Sequence, residues 1–288
     1  MDAKRPPPIS DSAFSASPSR TLRFEISSPP STISTRMDTT RIAELLQPFL
    51  TVPDPAPKPC HSERSEESAV LTPDQLNYIS IYIDLLLRWN ARINLTAIRH
   101  PEEIVTRHFG ESLLAARHLF PAPVFPAKTT WGQPSPAVQA ERSSATAHVI
   151  DVGAGAGFPG LPIKIWAPDI NLTLIESNHK KATFLREVTR TLTLMNINVF
   201  PGRAQDYPNP PAEVVTLRAV ERFDATLLIA ARLVAPGGRL ALLISEAQLA
   251  RTHNLTPEFA WPHPVNIPLS STRRLVIGVR NPEQHASG

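Results

Sequence analysis

The chain has 288 residues, enough for one sizeable domain with appended segments or for two small domains. Its hydrophobic fraction of 42% is typical of a globular protein, and its formal net charge of +3 permits a polyanionic partner without requiring one. Cys60 is the only cysteine, which excludes an internal disulfide and a cysteine-based zinc site, and no apolar run approaches the ~18 residues of a membrane span. We therefore expect a soluble, cytoplasmic protein without a membrane partner or a metal, and we expect a monomer.

Segments rich in Ser and Pro, without apolar periodicity, divide the chain. Residues 1–36 are predicted to be a disordered N-terminal extension, and residues 51–70 and 121–146 are predicted to be disordered inserts. Residues 281–288 are predicted to be a C-terminal tail. None of these segments carries a motif that we connect with a function.

Between these segments, the N-terminal part of the chain has the spacing of amphipathic helices. Apolar residues predict a helix near residues 42–50, a second helix at 73–90 with Thr72 as its N-cap, and a third from about 101 to 120. Residues 37–120, which include the first insert, are therefore predicted to form a short helical N-terminal cap.

From residue 147 onward, short β-branched runs alternate with helical ones. The β-branched runs are AHVIDV, NLTLIE, NINVF, AEVVTLR, PGGRLALLIS and RRLVIGVR, and segments such as HKKATFLREVTRTLTL and ATLLIAARLV between them have helical periodicity. Such alternation predicts an α/β fold of the Rossmann-like type, with a mostly parallel sheet and helices on both of its faces. We expect residues 147–280 to form this domain.

The stretch VIDVGAGAGFPG, residues 149–160, follows the first predicted strand and opens a helix. Gly155, Gly157 and Gly160 satisfy the pattern G-x-G-x-x-G, which alone is a weak signal. Such loops hold the pyrophosphate of dinucleotides, and they also hold S-adenosylmethionine.

Three features favour S-adenosylmethionine. A carboxylate at Asp151 would repel a pyrophosphate, whereas it suits a ligand that carries an ammonium and a sulfonium. Pro159 removes a backbone N–H that a phosphate would need, and Gly153 extends the pattern to D-x-G-x-G-x-G, whose glycines let the backbone approach the ligand. Glu176, about 20 residues further on, is placed to accept hydrogen bonds from ribose hydroxyls. That contact serves NAD equally well.

Six stretches resemble, in order, the RsmG/GidB family of small-subunit ribosomal RNA methyltransferases: NLTAI (94–98), VTRHFGES (105–112), VIDVGAGAGFPGLPIKI (149–165), LIESNHKKATFLREV (174–188), GRAQDY (202–207) and LRAV (217–220). The resemblance covers about residues 73–120 and 147–280. It implies a class I S-adenosylmethionine-dependent methyltransferase that modifies N7 of a guanine in small-subunit (16S) ribosomal RNA, with that RNA or the small ribosomal subunit as partner. Guanine N7 carries a lone pair and no proton, so the reaction needs no general base.

The resemblance also implies roles for individual residues. Phe158 would lie against the cofactor, and Ala204 and Gln205 would flank its adenine. Arg218, at the end of the fourth strand, would be the catalytic residue, donating to guanine O6 or to a phosphate; the alternative for it is a surface salt bridge. Together with the residues discussed above, the predicted cofactor site consists of Asp151, Gly153, Gly155, Gly157, Phe158, Glu176, Ala204, Gln205 and Arg218.

Basic residues near the predicted cleft are candidates for RNA contacts, because cations neutralise phosphates. Each could instead be a solvated helix residue. The candidates are Arg107, His108, Lys180, Lys181 and Arg186. The family has Leu-Asp-Ser after its Arg-His pair, whereas this chain has Phe109, Gly110, Glu111 and Ser112. Glu111 keeps a carboxylate there, but Gly110 weakens a helix by about 1 kcal/mol and leaves that contact open.

Other functions remain open at this point. The chain could methylate another RNA, a protein or a small molecule. It could be an NAD-dependent oxidoreductase, or a binding protein that keeps the fold without the activity.

Overall fold

The computed structural model describes residues 36–51, 70–121, 146–219 and 222–282. The segments predicted to be disordered, at 1–36, 51–70 and 121–146, and the tail at 281–288 lie outside the described residues except for their edges, as does Cys60. All described residues belong to one compact unit, Thr35–Gly288.

Helices at the N-terminal end come first in the chain. They are α1 (Thr39–Leu50), α2 (Pro73–Asn90), α3 (Pro101–Ile104) and α4 (Glu111–Leu119). Helix α2 begins as its sequence predicts: the Thr72 side chain accepts from the Gln75 backbone N–H, and the Gln75 side chain accepts from the Thr72 N–H. This reciprocal capping satisfies two donors that a helix start otherwise leaves without partners.

The helix predicted from about residue 101 to 120 is present as one helical segment, but it is not α-helical throughout. A π-helical turn, Val105–Gly110, lies between α3 and α4. Gly110 is in close contact with the first helix, since a Cβ built on it would lie 2.6 Å from two ring carbons of Phe49. The backbone at this turn therefore packs directly on an aromatic ring, a tertiary contact that apolar periodicity does not reveal.

The remaining elements alternate as predicted. The strands are β1 (His148–Val152), β2 (Asn171–Ile175), β3 (Ile197–Phe200), β4 (Ala212–Arg218), β5 (Val234–Ser245), β6 (Phe259–Ala260), β7 (Val265–Asn266) and β8 (Arg273–Arg280). The helices are α5 (Gly160–Trp166), α6 (His179–Thr191), α7 (Phe223–Arg232) and α8 (Leu249–Leu255). A short 3-10 turn, Ala204–Asp206, precedes β4.

The strands form one mixed sheet in the order β3-β2-β1-β4-β5-β8-β6, with β7 also pairing with β8. Strands β1 to β5 are parallel, and β8 runs antiparallel to β5. Alternate residues of β1 face opposite layers: Val149 packs in the core shared with α2 and α5, and Ile150 packs in the core shared with α7. The predicted mostly parallel α/β sheet with helices on both faces is confirmed.

The N-terminal helices share a core with one face of the sheet, because Ile42, Tyr82 and Phe109 belong to the same buried cluster as Leu161 and Phe184. The division into a cap at 37–120 and a domain at 147–280 stays a prediction. Among the described residues, none of the helices combines the length and the apolar character that crossing a bilayer requires.

Candidate active site

A cavity of about 980 Å³ lies at the carboxyl ends of β1, β2 and β4. Strand β1 is followed in the sheet by β2 on one side and by β4 on the other, so the direction of strand order reverses at β1. Ligands of open α/β sheets bind at such a switch point. The cavity is lined by Leu95, Thr96, His108, Gly153, Ala154, Gly155, Ala156, Phe158, Glu176, Ser177, Lys181, Arg203, Gln205, Arg218, Ala219, Arg222, Ala225, Thr226 and Ile229.

Eight of the residues predicted for cofactor or RNA line this cavity: His108, Gly153, Gly155, Phe158, Glu176, Lys181, Gln205 and Arg218. The other predicted residues do not line it: Arg107, Asp151, Gly157, Lys180, Arg186 and Ala204. Contact of any of them with a ligand stays a prediction, and the geometry of several restricts what they can do.

Residues 153–158, the glycine loop, connect β1 to α5. Gly153, Gly155 and Gly157 have φ values of 68°, 58° and 88°, which glycine adopts far more readily than other residues. The Gly155 N–H donates to Glu176 Oε2 at 2.8 Å, and the other carboxylate oxygen of Glu176 accepts from the Asn178 N–H at 2.7 Å. Backbone donors therefore fix the Glu176 carboxylate at the cavity wall, at the end of β2.

The Asp151 carboxylate lies beneath the glycine loop, not at the cavity wall. It is 1% exposed, and its oxygens accept from the Gly160 N–H at 3.0 Å and from the Thr216 hydroxyl at 2.8 Å. Burial raises the pKa of Asp151 to about 7. A direct contact with a positively charged ligand, as predicted from the sequence, is not what this geometry provides. The carboxylate instead ties β1 to β4 and to the start of α5.

The Phe158 ring is stacked against two neighbouring rings, and its contact with a cofactor stays a prediction. Tyr82 stacks on it at 5.4 Å between ring centroids and 4° between planes, and His108 stacks at 4.6 Å and 18°. Phe109 meets it edge-on at 5.2 Å. The ring can present only an edge to the cavity.

His108 is a neutral side chain in this setting, not the phosphate-binding cation that its sequence position predicts. Its Nε2 lies 2.8 Å from the Thr96 hydroxyl. Burial, with the positive charges of Arg218, Arg107 and Arg273, lowers its pKa to about 3. With a pKa this low, the His108 side chain carries no positive charge near neutral pH that could attract RNA.

Arg218 lies at the end of β4, on the side of the cavity across from Glu176. Its side chain is 11% exposed, and its Nη2 donates to the Arg107 carbonyl at 2.6 Å and pairs with Glu111 Oε2 at 3.2 Å. Its Nη1 is buried without a hydrogen-bond partner in the described part of the chain. The alternative predicted for this residue, a salt bridge, is therefore present, but it is buried and leaves one nitrogen of the guanidinium without a partner.

Glu111 is the centre of a group that we call the arginine cluster: Arg107, Glu111, Arg218 and Arg273. Its carboxylate is 2% exposed and lies 2.7 Å from Arg273 Nη1 and 3.7 Å from Arg107 Nε. The sequence, with Gly110 directly before Glu111, did not decide whether the Glu111 carboxylate makes a contact here. In the structure it does. Burial raises the pKa of Glu111, and the three guanidinium groups oppose that rise. Three cations against the carboxylates of Glu111 and Glu103, which also pairs with Arg107, leave one net positive charge beside the cavity.

Sequence reasoning missed several residues of this site. Arg273 lies on β8, which is far away in sequence and antiparallel, and no motif marked it. Arg203 lies directly before Ala204, and Arg222 follows the LRAV stretch, so both were within reach of the resemblance. Thr96 lies in the NLTAI stretch, whose role the sequence left unassigned.

The predicted RNA-binding lysines and arginines are dispersed. Lys181 is half-buried at the cavity, and Lys180 is exposed beside it. Arg186 is exposed one and a half turns further along α6 and donates to the Val199 carbonyl at 3.4 Å. Arg107 is 43% exposed and pairs with Glu103. No group of three or more His, Cys, Asp or Glu side chains in the described ranges is arranged to hold a metal ion.

Comparison with known proteins gives the family to which these features correspond. A family model described as GidB, rRNA small subunit methyltransferase G, matches residues 75–122 and 134–269. A ribosomal RNA small subunit methyltransferase G from Xanthomonas campestris pv. campestris (strain B100) is 35% identical over 202 residues, which are 68% of this chain and 82% of the relative. One from Streptococcus pyogenes serotype M12 (strain MGAS2096) is 32% identical over 196 residues, 66% of this chain and 74% of the relative.

Solved structures also match the chain at low identity. A predicted O-methyltransferase, Atu636, from Agrobacterium tumefaciens is 19% identical and covers 46% of this chain and 74% of its own, with a TM-score of 0.40. A SAM-dependent methyltransferase from Aquifex aeolicus is 16% identical and covers 50% of this chain and 88% of its own, also with a TM-score of 0.40.

Proposed function

Since the chain belongs to the GidB family of rRNA small subunit methyltransferases G, we propose that it methylates N7 of a guanine in small-subunit (16S) ribosomal RNA, with S-adenosylmethionine as the methyl donor. One observation carries the proposal for the site. A cavity at the switch point of the sheet has the glycine loop and a carboxylate on one side and an incompletely paired arginine on the other. Such a substrate agrees with the predicted cytoplasmic location.

The residues present fit S-adenosylmethionine. A Cβ built on Gly155 would meet only the Gly153 carbonyl, at 3.7 Å, so the loop backbone opens directly onto the cavity and a side chain would intrude there. Glu176, fixed by two backbone donors, would accept from the ribose hydroxyls, and Gln205 would lie near the adenine. When bound, the cofactor supplies a methyl group on a sulfonium, which is electrophilic without further activation.

Asp151 would act on the cofactor only through the loop. Its bonds to Gly160 and Thr216 hold the ends of β1, β4 and α5 together, and a Cβ at Gly160 would lie 2.9 Å from the Asp151 Cβ. The choice between S-adenosylmethionine and NAD therefore rests on family membership rather than on the charge of Asp151.

Arg218 would orient the guanine. Arg218 lines the cavity, and its guanidinium would donate to guanine O6, which is adjacent to N7, while Nη2 stays on Glu111 and on the Arg107 carbonyl. A guanidinium held at two points loses little freedom when it binds the base, so it can place N7 in line with the donor methyl. No proton leaves N7, so the reaction needs no general base, and the Glu111 carboxylate of the cluster is engaged by arginines.

Cations at the cavity rim would bind the RNA backbone. Arg203, Arg222 and Lys181 line the cavity, and Lys180, Arg186 and Arg107 are placed further out. The helical segment 37–120 would act as a cap, since Thr96 and His108 form part of the cavity lining. A monomer is sufficient for this arrangement.

Two measurements test the proposal. N7-methylguanine mapped in the small-subunit RNA of a strain lacking this gene should disappear at one position and return with the purified enzyme, either on naked RNA or on assembled subunits. Calorimetry should show binding of S-adenosylhomocysteine and not of NAD. Binding of NAD alone would contradict the cofactor, and methylation of a different atom or a different RNA would contradict the substrate.

A further inference from the structure

A second, smaller cavity of about 320 Å³ lies next to the proposed active site. It is lined by Arg92, Ile93, Asn94, Asn178, Lys180 and Lys181. The first three belong to the turn after α2, and the last three belong to the start of α6. Two chain segments that are far apart in sequence therefore bring three cationic side chains to one concave surface.

The three cations are not neutralised by the surrounding protein. Arg92, Lys180 and Lys181 form no ion pair with any described residue, whereas Arg88 on the same side of the fold pairs with Asp84 at 2.9 Å. The Asn178 side chain already accepts from the Lys180 and Lys181 N–H groups, so the attraction for an anion comes from the side chains rather than from the start of the helix. This surface can bind an anion without giving up an existing ion pair.

The small cavity adjoins the proposed active site. Lys181 lines both cavities. The turn that supplies Arg92 and Asn94 continues directly into Leu95 and Thr96, which line the larger cavity. A strand that places a base in the larger cavity would therefore pass between Lys181 and this turn as it leaves.

We propose that the small cavity binds a backbone phosphate of the RNA strand whose guanine occupies the active site, with Arg92 and Lys180 as its ligands. The proposal rests on the proposed function and adds a contact to it. Arg92 can bind two phosphate oxygens through its planar guanidinium, and Lys180 adds a point charge. The contact fixes the register of the strand and reads no base, as phosphate contacts do.

The test compares Arg92→Ala and Arg92→Glu with the unchanged enzyme as full chains. Binding of a small-subunit RNA transcript is measured over a range of salt concentrations. We expect Arg92→Ala to weaken binding about threefold to tenfold and to reduce the slope of log affinity against log salt by about 0.7, the value for one lost contact to a single strand. Arg92→Glu should weaken it further. Affinity for S-adenosylhomocysteine should not change, because Arg92 does not line the larger cavity.

Arg232→Ala is the matched control. Arg232 is exposed at the end of α7, two residues before β5 begins, and thus near the amino ends of the parallel strands, whereas the cavity lies at their carboxyl ends. The Arg232→Ala substitution removes one positive charge, as Arg92→Ala does, and should leave both the affinity for RNA and the salt slope unchanged.

The outcomes separate the two proposals. An unchanged enzyme that binds and methylates the RNA, with an Arg92→Ala variant of equal affinity and equal salt slope, would overturn the phosphate site and leave the proposed function standing. Equal losses for Arg92→Ala and Arg232→Ala would also overturn it, because they would reflect net charge alone. A loss seen with assembled subunits and not with naked RNA would assign the surface to a ribosomal protein instead. Failure of the unchanged enzyme to methylate the RNA, both as naked RNA and in assembled subunits, would refute the proposed function itself.

Discussion

The glycine loop and Arg218 of the arginine cluster both line the larger cavity, and the loop and the cluster are built in different ways. The loop is six consecutive residues, 153–158, whose positive φ values and hydrogen bond to Glu176 follow from local sequence. The cluster gathers Arg107 and Glu111 from the N-terminal helices, Arg218 from β4 and Arg273 from β8. One side is made by backbone and the other by long side chains.

This difference suits the two ligands proposed for the cavity. A small cofactor of fixed shape is held by backbone groups that cannot change rotamer. An RNA strand brings negative charge, and a group of three guanidiniums around one buried carboxylate keeps positive charge available beside the cavity. Substitutions should therefore separate the two sides: changes in the loop should act on the fold and on cofactor affinity, and changes in the cluster should act on the rate.

The largest expected effect is on the loop. Gly157→Ala should lower the free energy of unfolding by about 2–5 kcal/mol, because it combines a φ of 88° with a Cβ that would meet the Tyr82 hydroxyl and, at 2.6 Å, Leu161. Gly155→Ala should cost only about 1–2 kcal/mol, since its Cβ would point into open space. The Gly155→Ala substitution should instead weaken the binding of S-adenosylhomocysteine at least tenfold. Chemical denaturation and calorimetry measure both effects, and equal stability losses would show that the loop has no face reserved for a ligand.

Arg218→Ala should lower methyl transfer to small-subunit RNA by a factor of ~10² or more, equivalent to about 2.7 kcal/mol. Arg218→Lys should recover little, because a single ammonium cannot donate to the base and to Glu111 in the geometry of a planar fork. Cofactor affinity should fall much less than the rate. The control is Arg190→Ala, which breaks an exposed pair with Glu187 and should leave turnover intact. Near-normal turnover in Arg218→Ala would leave recognition of the guanine unassigned.

The loop side of the site could be predicted from the sequence because its determinants are contiguous. Glycines after a β-branched run, an acid at the end of the next strand and alternating strands and helices place Gly153, Gly155 and Glu176 without tertiary information. Arg218 was located through its place at the end of β4. Its buried partner Glu111 was only partly predictable, because the sequence predicts an α-helix through this segment, whereas Val105–Gly110, directly before Glu111, is π-helical.

The errors of sequence reasoning share a physical origin. From their sequence positions, Asp151 and His108 were expected to be charged and to face a ligand. Burial determines both their charge and what they contact. Asp151 is enclosed by Thr216 and Gly160, and His108 lies between Phe158 and Thr96. Arg273 was missed because its strand pairs in an order that no local pattern specifies. Charge state and long-range pairing are tertiary properties.

His108 offers a pH test of the cluster side. Its pKa is about 3 in the folded protein and about 6.5 in the unfolded chain, so its contribution to stability is complete above pH 6.5 and is lost as the pH falls toward 3. Relative to His108→Gln, the unchanged protein should lose about 2 kcal/mol between pH 7.5 and pH 5. Gln keeps an acceptor and a donor near the Thr96 hydroxyl. Parallel stability curves for the two proteins would mean that folding leaves the pKa of His108 near 6.5, so that burial does not prevent it from gaining a positive charge in the fold.

The smallest expected effect concerns the turn that carries Glu111. Gly110→Ala gains up to about 1 kcal/mol of helix propensity, yet its Cβ would lie 2.6 Å from the buried Phe49 ring, and crowding of this kind costs about 1–3 kcal/mol. We expect a net loss of about 1–2 kcal/mol, measured by denaturation, with a slower methyl transfer because displacement of this turn moves Glu111 away from Arg218. In a Phe49→Leu background the ring is gone, so the same Gly110→Ala change should become neutral or stabilising. A double-mutant cycle should therefore show a coupling energy of at least about 1 kcal/mol between the two positions. If Gly110→Ala costs the same in both backgrounds, the ring does not set the position of Glu111, and the glycine serves the π-helical turn alone.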